Sequence, residues 1–340
     1  MPTRAETKPA ADVIGLLQTN LARDGRVALA TIIETWGSAP VPVGGQMAIA
    51  ADGNFEGSVS GGCVEGEVIT EAMELLDGGT PKTLSFGVED ETAWRVGLPC
   101  GGKIRVFVER LDGEAGRAYV DRIAVARGAR EALVVSTRLG DGARTITARG
   151  GAVDDLARRF ISGVSSVEPG AGGETFVHAR LPPPRIVIIG ATHIGQILAE
   201  LVRTTGFAPI VVDPRTAFAA EARFPGVQLI TDWPQDALPK LGLDPYTAVA
   251  ALAHVGHIDD EALKLACRAE CFYVGALGSR KNHAKRMERL AAAGLTPAEI
   301  ARICSPIGLD LGATTPPEIA LSVMAEILRH LRGSKGKGAA

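Results

Sequence analysis

Apolar residues follow two different patterns along this chain, and the point where the pattern changes divides it. Over 13–22 they recur at helical spacing, and 27–33 is a continuous apolar run ending at Trp36-Gly37-Ser38, which predicts a helix followed by a buried strand. Short runs at 46–50 and 55–59 flank Asp52-Gly53 and predict a hairpin. From Val64 the apolar positions Val68, Ala72, Leu75 and Leu76 return at helical spacing among Glu65, Glu67, Glu71 and Glu74, predicting an amphipathic helix. Strands are expected at 82–86 and 103–108. A smaller unit should follow, with helices near 115–126 and 153–161 and strands at 132–137 and 145–148 around Asp141-Gly142. The run Glu168-Pro169-Gly170-Ala171-Gly172-Gly173 reads as loop, and Leu181-Pro182-Pro183-Pro184 as a stiff spacer.

Beyond the prolines, buried strands and amphipathic helices alternate. Arg185-Ile186-Val187-Ile188-Ile189 runs into Gly190; a helix carries Ile194, Ile197, Leu198, Leu201 and Val202 and stops at Gly206; further strands are expected at 210–213, 227–231, 247–252 and 272–275. Thr315-Pro316-Pro317-Glu318 has the form of a capping box opening a helix to about 331. Such alternation assembles into a parallel sheet. The expected fold class is α/β: an N-terminal α+β domain over 1–180, then a Rossmann-like, doubly wound parallel-sheet domain over 185–333.

Composition narrows the field further. A chain of 340 residues, 46% hydrophobic and of net charge −3, has material for two full cores. No basic block suits nucleic acid or an anionic membrane surface, and no apolar run approaches the roughly 20 residues of a membrane span. A cytoplasmic protein is therefore expected. Five cysteines, an odd number, read as thiols rather than a disulfide framework.

Two cysteines carry candidate chemistry. Ser60-Gly61-Gly62-Cys63 delivers Cys63 to a helix N-terminus, where amides and the helix dipole favour a thiolate, and the N–H groups of Gly61 and Gly62 can turn towards an anion. Cys100-Gly101-Gly102 repeats the arrangement in mirror order. Cys63 and Cys100 are thus candidate catalytic groups and soft metal ligands, and Glu65 could orient a bound group or exchange protons with it, or simply favour the helix start. In the second half, Gly190-Ala191-Thr192-His193-Ile194-Gly195 approximates the dinucleotide fingerprint, with Thr192 in place of the middle glycine, and Asp213 ends the next strand, where a ribose-binding acid belongs. His193, His254, Ser279 and Arg280 should face the same crevice. His254-x2-His257 and Cys267-x3-Cys271 could be combined into a zinc centre, but both cysteines fall on apolar faces and read as core; His178 and His330 read as surface residues.

Together, Gly37-Ser38-Ala39-Pro40, Ser60-Gly61-Gly62-Cys63-Val64-Glu65, Cys100-Gly101-Gly102, the Gly190 turn, Gly275-Ala276-Leu277-Gly278-Ser279-Arg280 and Ser305-Pro306-Ile307-Gly308-Leu309-Asp310-Leu311-Gly312 resemble the xanthine dehydrogenase accessory factor (XdhC/CoxI) family over nearly the whole chain. The resemblance implies a chaperone that binds molybdenum cofactor (molybdopterin) and assists its sulfuration and insertion into a xanthine-dehydrogenase- or CO-dehydrogenase-type hydroxylase. It implies an apo molybdenum hydroxylase client and a cysteine desulfurase as partners, and a homodimer. The chain departs from that family at Thr192, usually Gly, and at Ala253-His254-Val255-Gly256-His257, usually a Thr-His-Asp-His-like run. The competing reading is an oxidoreductase with FAD or NAD(P) in the second-domain crevice.

Overall fold

The computed structural model describes residues 12–87, 102–151, 154–170 and 172–333. The chain divides into two compact units, Met1–Leu181 and Pro182–Ala340.

The first unit is built on an antiparallel sheet of β1 (Arg26–Trp36), β2 (Gln46–Ile49), β3 (Phe55–Gly57), β4 (Lys82–Phe86) and β5 (Lys103–Asp112), in the order β3-β2-β1-β5-β4. Both faces of its middle are covered, so β1 is buried without a break from Val27 to Ile33 rather than at alternate positions. Ala28, Ala30 and Ile32 face α2 (Glu65–Asp77), which buries Val68, Ala72, Leu75 and Leu76. Each buried Val, Leu or Ile among them contributes about 1.5–3 kcal/mol by leaving water. Val27 and Leu29 point the other way, onto α1 (Val13–Arg23) and α3 (Gly113–Gly128).

A second antiparallel sheet completes this unit: β6 (Leu133–Arg138), β7 (Arg144–Ala148), β8 (Ser166–Gly170) and β9 (Gly173–Arg180), ordered β7-β6-β9-β8, with α4 (Asp154–Ser162) between β7 and β8 in the chain. Here the expectation of a loop at 168–173 is corrected, because Glu168, Pro169 and Gly170 lie in β8 and pair with β9. Pro169 is tolerated because β8 is an edge strand, where a missing N–H on the outer side breaks no ladder bond. His178 is not a surface residue either. It lies on β9 with Nε2 only 2.7 Å from where a Cβ of Gly44 would stand, and burial, aided by Arg180, pushes its pKa down to about 3.

The second unit is a six-stranded parallel sheet of β10 (Arg185–Ile189), β11 (Ala208–Val212), β12 (Gln228–Ile230), β13 (Thr247–Ala251), β14 (Tyr273–Ala276) and β15 (Ile303–Cys304). Their order, β12-β11-β10-β13-β14-β15, is the 3-2-1-4-5-6 order of dinucleotide-binding sheets, with its switch point between β10 and β13. Ile186 and Ile188 face α5 (His193–Thr204) and α10 (Pro316–Gly333); Val187 and Ile189 face the side holding α6 (Pro234–Leu241), α7 (Gly256–Arg268) and Leu290 of α8 (Arg280–Ala292). A one-turn helix, α9 (Pro297–Ile300), leads into β15. Cys267 and Cys271 are buried thiols of this core, pushed up to about 11 and about 12 by loss of water. His330 is half-buried rather than a surface residue, edge-on to Tyr273 at 5.0 Å and 3.7 Å from the Cys304 sulfur.

Candidate functional site

The turn from Ser58 to Val64 is closed around one carboxylate. Glu65 Oε1 accepts from Ser58 Oγ at 2.6 Å, Ser60 N at 2.9 Å and Val59 N at 3.2 Å; Oε2 accepts from Gly62 N at 2.9 Å and from the Ser60 hydroxyl. Ser60 Oγ in turn accepts from Cys63 N and Val64 N, both at 2.9 Å, and Gly61 N donates to Ser58 Oγ at 2.8 Å. Gly61 and Gly62 have φ of +78° and +116°, which side-chain-bearing residues rarely adopt. The two amides expected to face an external anion are therefore already used, Gly62 N on Glu65 itself and Gly61 N on the Ser58 hydroxyl that Glu65 holds.

Of the two roles open to Glu65, these contacts favour the structural one over proton exchange. Burial raises its pKa, but the hydroxyls of Ser58 and Ser60 and the turn amides outweigh burial and hold it down to about 2. A carboxylate so placed is a brace and not a general acid or base at neutral pH. What the brace fixes is Cys63, half-buried beside the α2 cluster, whose thiol makes no hydrogen bond to another described residue. Among the described residues no group of three or more His, Cys, Asp or Glu could hold a metal ion. Cys100 and Gly101 lie outside the described residues.

In the second unit the residues following β10 and β13 meet at the switch point. Gly190 has φ +105°, and a Cβ there would lie 2.5 Å from the Ala253 Cα, so only glycine lets the two strand ends approach. Thr192 is the N-cap of α5, its hydroxyl accepting from Gly195 N at 3.1 Å, and it thereby satisfies a helix-start amide. His193 is exposed in the first turn. His254 is exposed with φ +57°, directly after the Ala253 contact. Ser279 caps α8, accepting from Asn282 N at 3.3 Å, and Arg280 is exposed.

Asp213 is not available as the ribose acceptor that its position suggested. It is fully buried and receives Ala191 N at 2.7 Å, Arg215 N and Nε both at 2.9 Å and Arg215 Nη2 at 2.7 Å. Those four donors occupy both oxygens, so the acid ties the Gly190 turn to Arg215. Burial opposes its ionisation, yet the Arg215 bonds and the Ala191 amide keep its pKa below the usual carboxylate range.

Two residues escaped the sequence reading. Asp259, on α7, is 1% exposed and accepts from Ala253 N at 3.1 Å; Arg286, on α8, is 6% exposed and donates from Nη2 to Leu277 O at 2.9 Å. A helical pattern places both on inward faces, but nothing in the spacing shows that Asp259 reaches the loop after β13.

Fold and site define a class: an antiparallel unit presenting a thiol on a locked turn, joined to a dinucleotide-type parallel unit. The family model described as the XdhC Rossmann domain matches residues 186–327, and that described as the XdhC and CoxI family matches residues 21–87. The chain is 30% identical over 299 residues to the molybdenum cofactor insertion chaperone PaoD of Escherichia coli, an alignment spanning 88% of this chain and 81% of that one. It is 29% identical over 325 residues to a probable xanthine dehydrogenase subunit from Bacillus subtilis, spanning 92% and 96%. A crystal structure described as a xanthine dehydrogenase from Bacillus halodurans superposes with a TM-score of 0.68 at 26% identity, covering 96% of this chain and 97% of that one. The chain belongs to the XdhC and CoxI family.

Proposed function

We propose that the protein is a cytoplasmic maturation factor that binds molybdenum cofactor and assists its sulfuration and insertion into a xanthine-dehydrogenase- or CO-dehydrogenase-type hydroxylase. The observation that carries this reading is Cys63, a thiol without a hydrogen-bond partner among the described residues, on a turn whose amides are all consumed in holding it still. A preorganised soft donor suits a sulfur-ligated molybdenum centre, which the cofactor would supply as a phosphorylated pterin complex. A site of one or two thiols suits a cargo that must leave again, whereas a closed cage would retain it. Cys100 is the natural second donor in this reading. The names of the two relatives support the role, one being a molybdenum cofactor insertion chaperone and the other a probable component of xanthine dehydrogenase.

An apo molybdenum hydroxylase is the client this role requires, a cysteine desulfurase its sulfur source, and a homodimer its expected assembly. The oxidoreductase reading, with NAD(P) or FAD, rests on the strand order of the second unit; against it, Asp213 has both oxygens occupied and offers a ribose hydroxyl no acceptor. The test is coexpression of Cys63→Ser with an apo hydroxylase, reading the activated fraction, the molybdenum retained on anaerobic purification, and the variant's own melting temperature. Serine fills similar space but is no soft ligand, so activation and retention should fall with melting unchanged. Full activation by Cys63→Ser would refute the assignment.

A further inference from the structure

Six buried side-chain polar atoms find no hydrogen-bond partner among the described residues, and five belong to the second unit: Asp259 Oδ2, His283 Nδ1, Arg286 Nε and Nη1, and Ser305 Oγ. Buried polar atoms are almost always satisfied, so the facing orphans of α7 and α8, Asp259 Oδ2 with Arg286 Nε and Nη1, call for a missing partner. Ser279, His283 and Arg286 are spaced to share one face of α8, a helix of 13 residues. Ser305 follows β15, the strand beside β14, whose end leads to Gly278 and Ser279.

Arg286 is the centre of this group. Its side chain is only 7% exposed, yet its ion pairs are loose: 3.9 Å from Nη2 to Asp259 Oδ2 and 3.6 Å from Nε to Asp260 Oδ1. Asp260 is held more tightly by Arg289, at 2.6 Å and 3.2 Å. The guanidinium lies beneath the turn into α8, for a Cβ on Gly278 would stand 3.8 Å from both Nη1 and Nη2. That turn is also the start of the helix, where Ser279 takes Asn282 N and the N–H groups of Arg280 and Lys281 have no intrahelical acceptor. Arg280 and Lys281 are themselves exposed cations.

We infer that the Gly278–Ser279 turn is a subsite for the phosphate monoester of a small ligand, held by the first amides of α8 and the exposed Arg280 and Lys281 cations, with Arg286 supporting it from below. A phosphate over Gly278 meets the helix-start amides, and the guanidinium beneath the turn, its Nη1 unpaired, supplies positive charge that Asp259 balances without saturating. The subsite is distinct from the Gly190 turn, where dinucleotide pyrophosphates are usually bound, and it goes beyond the cofactor reading because the ester could belong to a phosphorylated pterin or to a nucleotide.

Calorimetric titration of the full chain separates these sources. The probes are AMP against adenosine, and the air-oxidised phosphorylated pterin released from molybdenum cofactor before and after phosphatase treatment. In at least one pair the phosphorylated member should bind about tenfold or more tightly, the worth of a charge-assisted hydrogen bond. The double variant Arg280→Gln/Lys281→Gln, which alters only exposed side chains, should lose about that factor, and Arg286→Lys should lose it where circular dichroism shows the fold intact. Preference for AMP identifies a nucleotide and preference for the pterin a cofactor; either supports the subsite. Equal binding with and without phosphate, an undiminished double variant, or no binding of any probe overturns it, and hydroxylase activation by the same variants reports separately on the maturation role.

Discussion

Replacing Glu65 with glutamine leaves the shape of the Cys63 turn and removes the charge that closes it. The amide nitrogen then faces donors that the carboxylate accepted, either Gly62 N and the Ser60 hydroxyl or Ser58 Oγ and the amides of Val59 and Ser60. A carboxyl held at about 2 rather than 4.5 represents about 3 kcal/mol in favour of the ionised fold. Allowing for solvent on the open side of the turn, about 2–3 kcal/mol is the working figure. Because the folded pKa lies below the unfolded one, this contribution is complete above about pH 4.5 and is lost as pH falls towards about 2. Amide exchange reads it locally, since the N–H groups of Ser60, Gly62, Cys63 and Val64 are bonded to Glu65 or to the hydroxyl it holds. In Glu65→Gln these amides should exchange about 30- to 150-fold faster at pH 7, with the ratio shrinking towards one near the acid end. Unchanged protection at pH 7, or a ratio that stays constant as the pH is lowered, would refute the brace.

Glu109 should act in the opposite direction: burial, outweighing Arg144, raises it to about 7, so its ionisation costs folding energy above the unfolded pKa and the first unit should gain stability as pH falls from about 7 towards 4.5. Glu109→Gln should flatten that window in a pH series of thermal melts, and a slope that persists in the variant would sink the assignment. Its carboxylate, paired with Arg144, helps line a cavity of about 440 Å³ with Tyr119 and Gly142. Arg215→Ala leaves the fully buried Asp213 without its guanidinium and should destabilise the second unit by about 3–5 kcal/mol. Calorimetric melting checks this, and a loss below about 1 kcal/mol, the value of an exposed pair, would contradict it.

Much of the fold was legible because hydrophobic pattern and turn chemistry agree. β10 and β13 are buried along their whole length and apolar after their first residues, since helices cover both faces of a parallel sheet, and Asp52-Gly53 marks the β2–β3 hairpin. What escaped was set by tertiary position. Edge position lets Pro169 and Gly170 join a strand that composition argues against. β15 is two residues long and exists because β14 offers it a partner, so no window of sequence contains its cause.

The site shows a sharper limit. Spacing placed Gly190, Thr192 and Asp213 along a dinucleotide-type backbone path, and that path is present. Whether an acid on it is free is decided by its neighbours. Arg215, two residues on, folds back onto Asp213, and the hydroxyl of Thr192 serves the helix start. The Cys63 turn follows the same logic: two glycines before a helix suggest an anion-binding turn, but the sequence does not say whose anion it binds. Glu65 stands at the first helical residue, close enough to reach back over Ser60 and Gly62, and a ligand from outside would have to displace a carboxylate already tethered there. An internal anion therefore wins the turn, and the chemistry left to a partner is the thiol that this carboxylate holds in place.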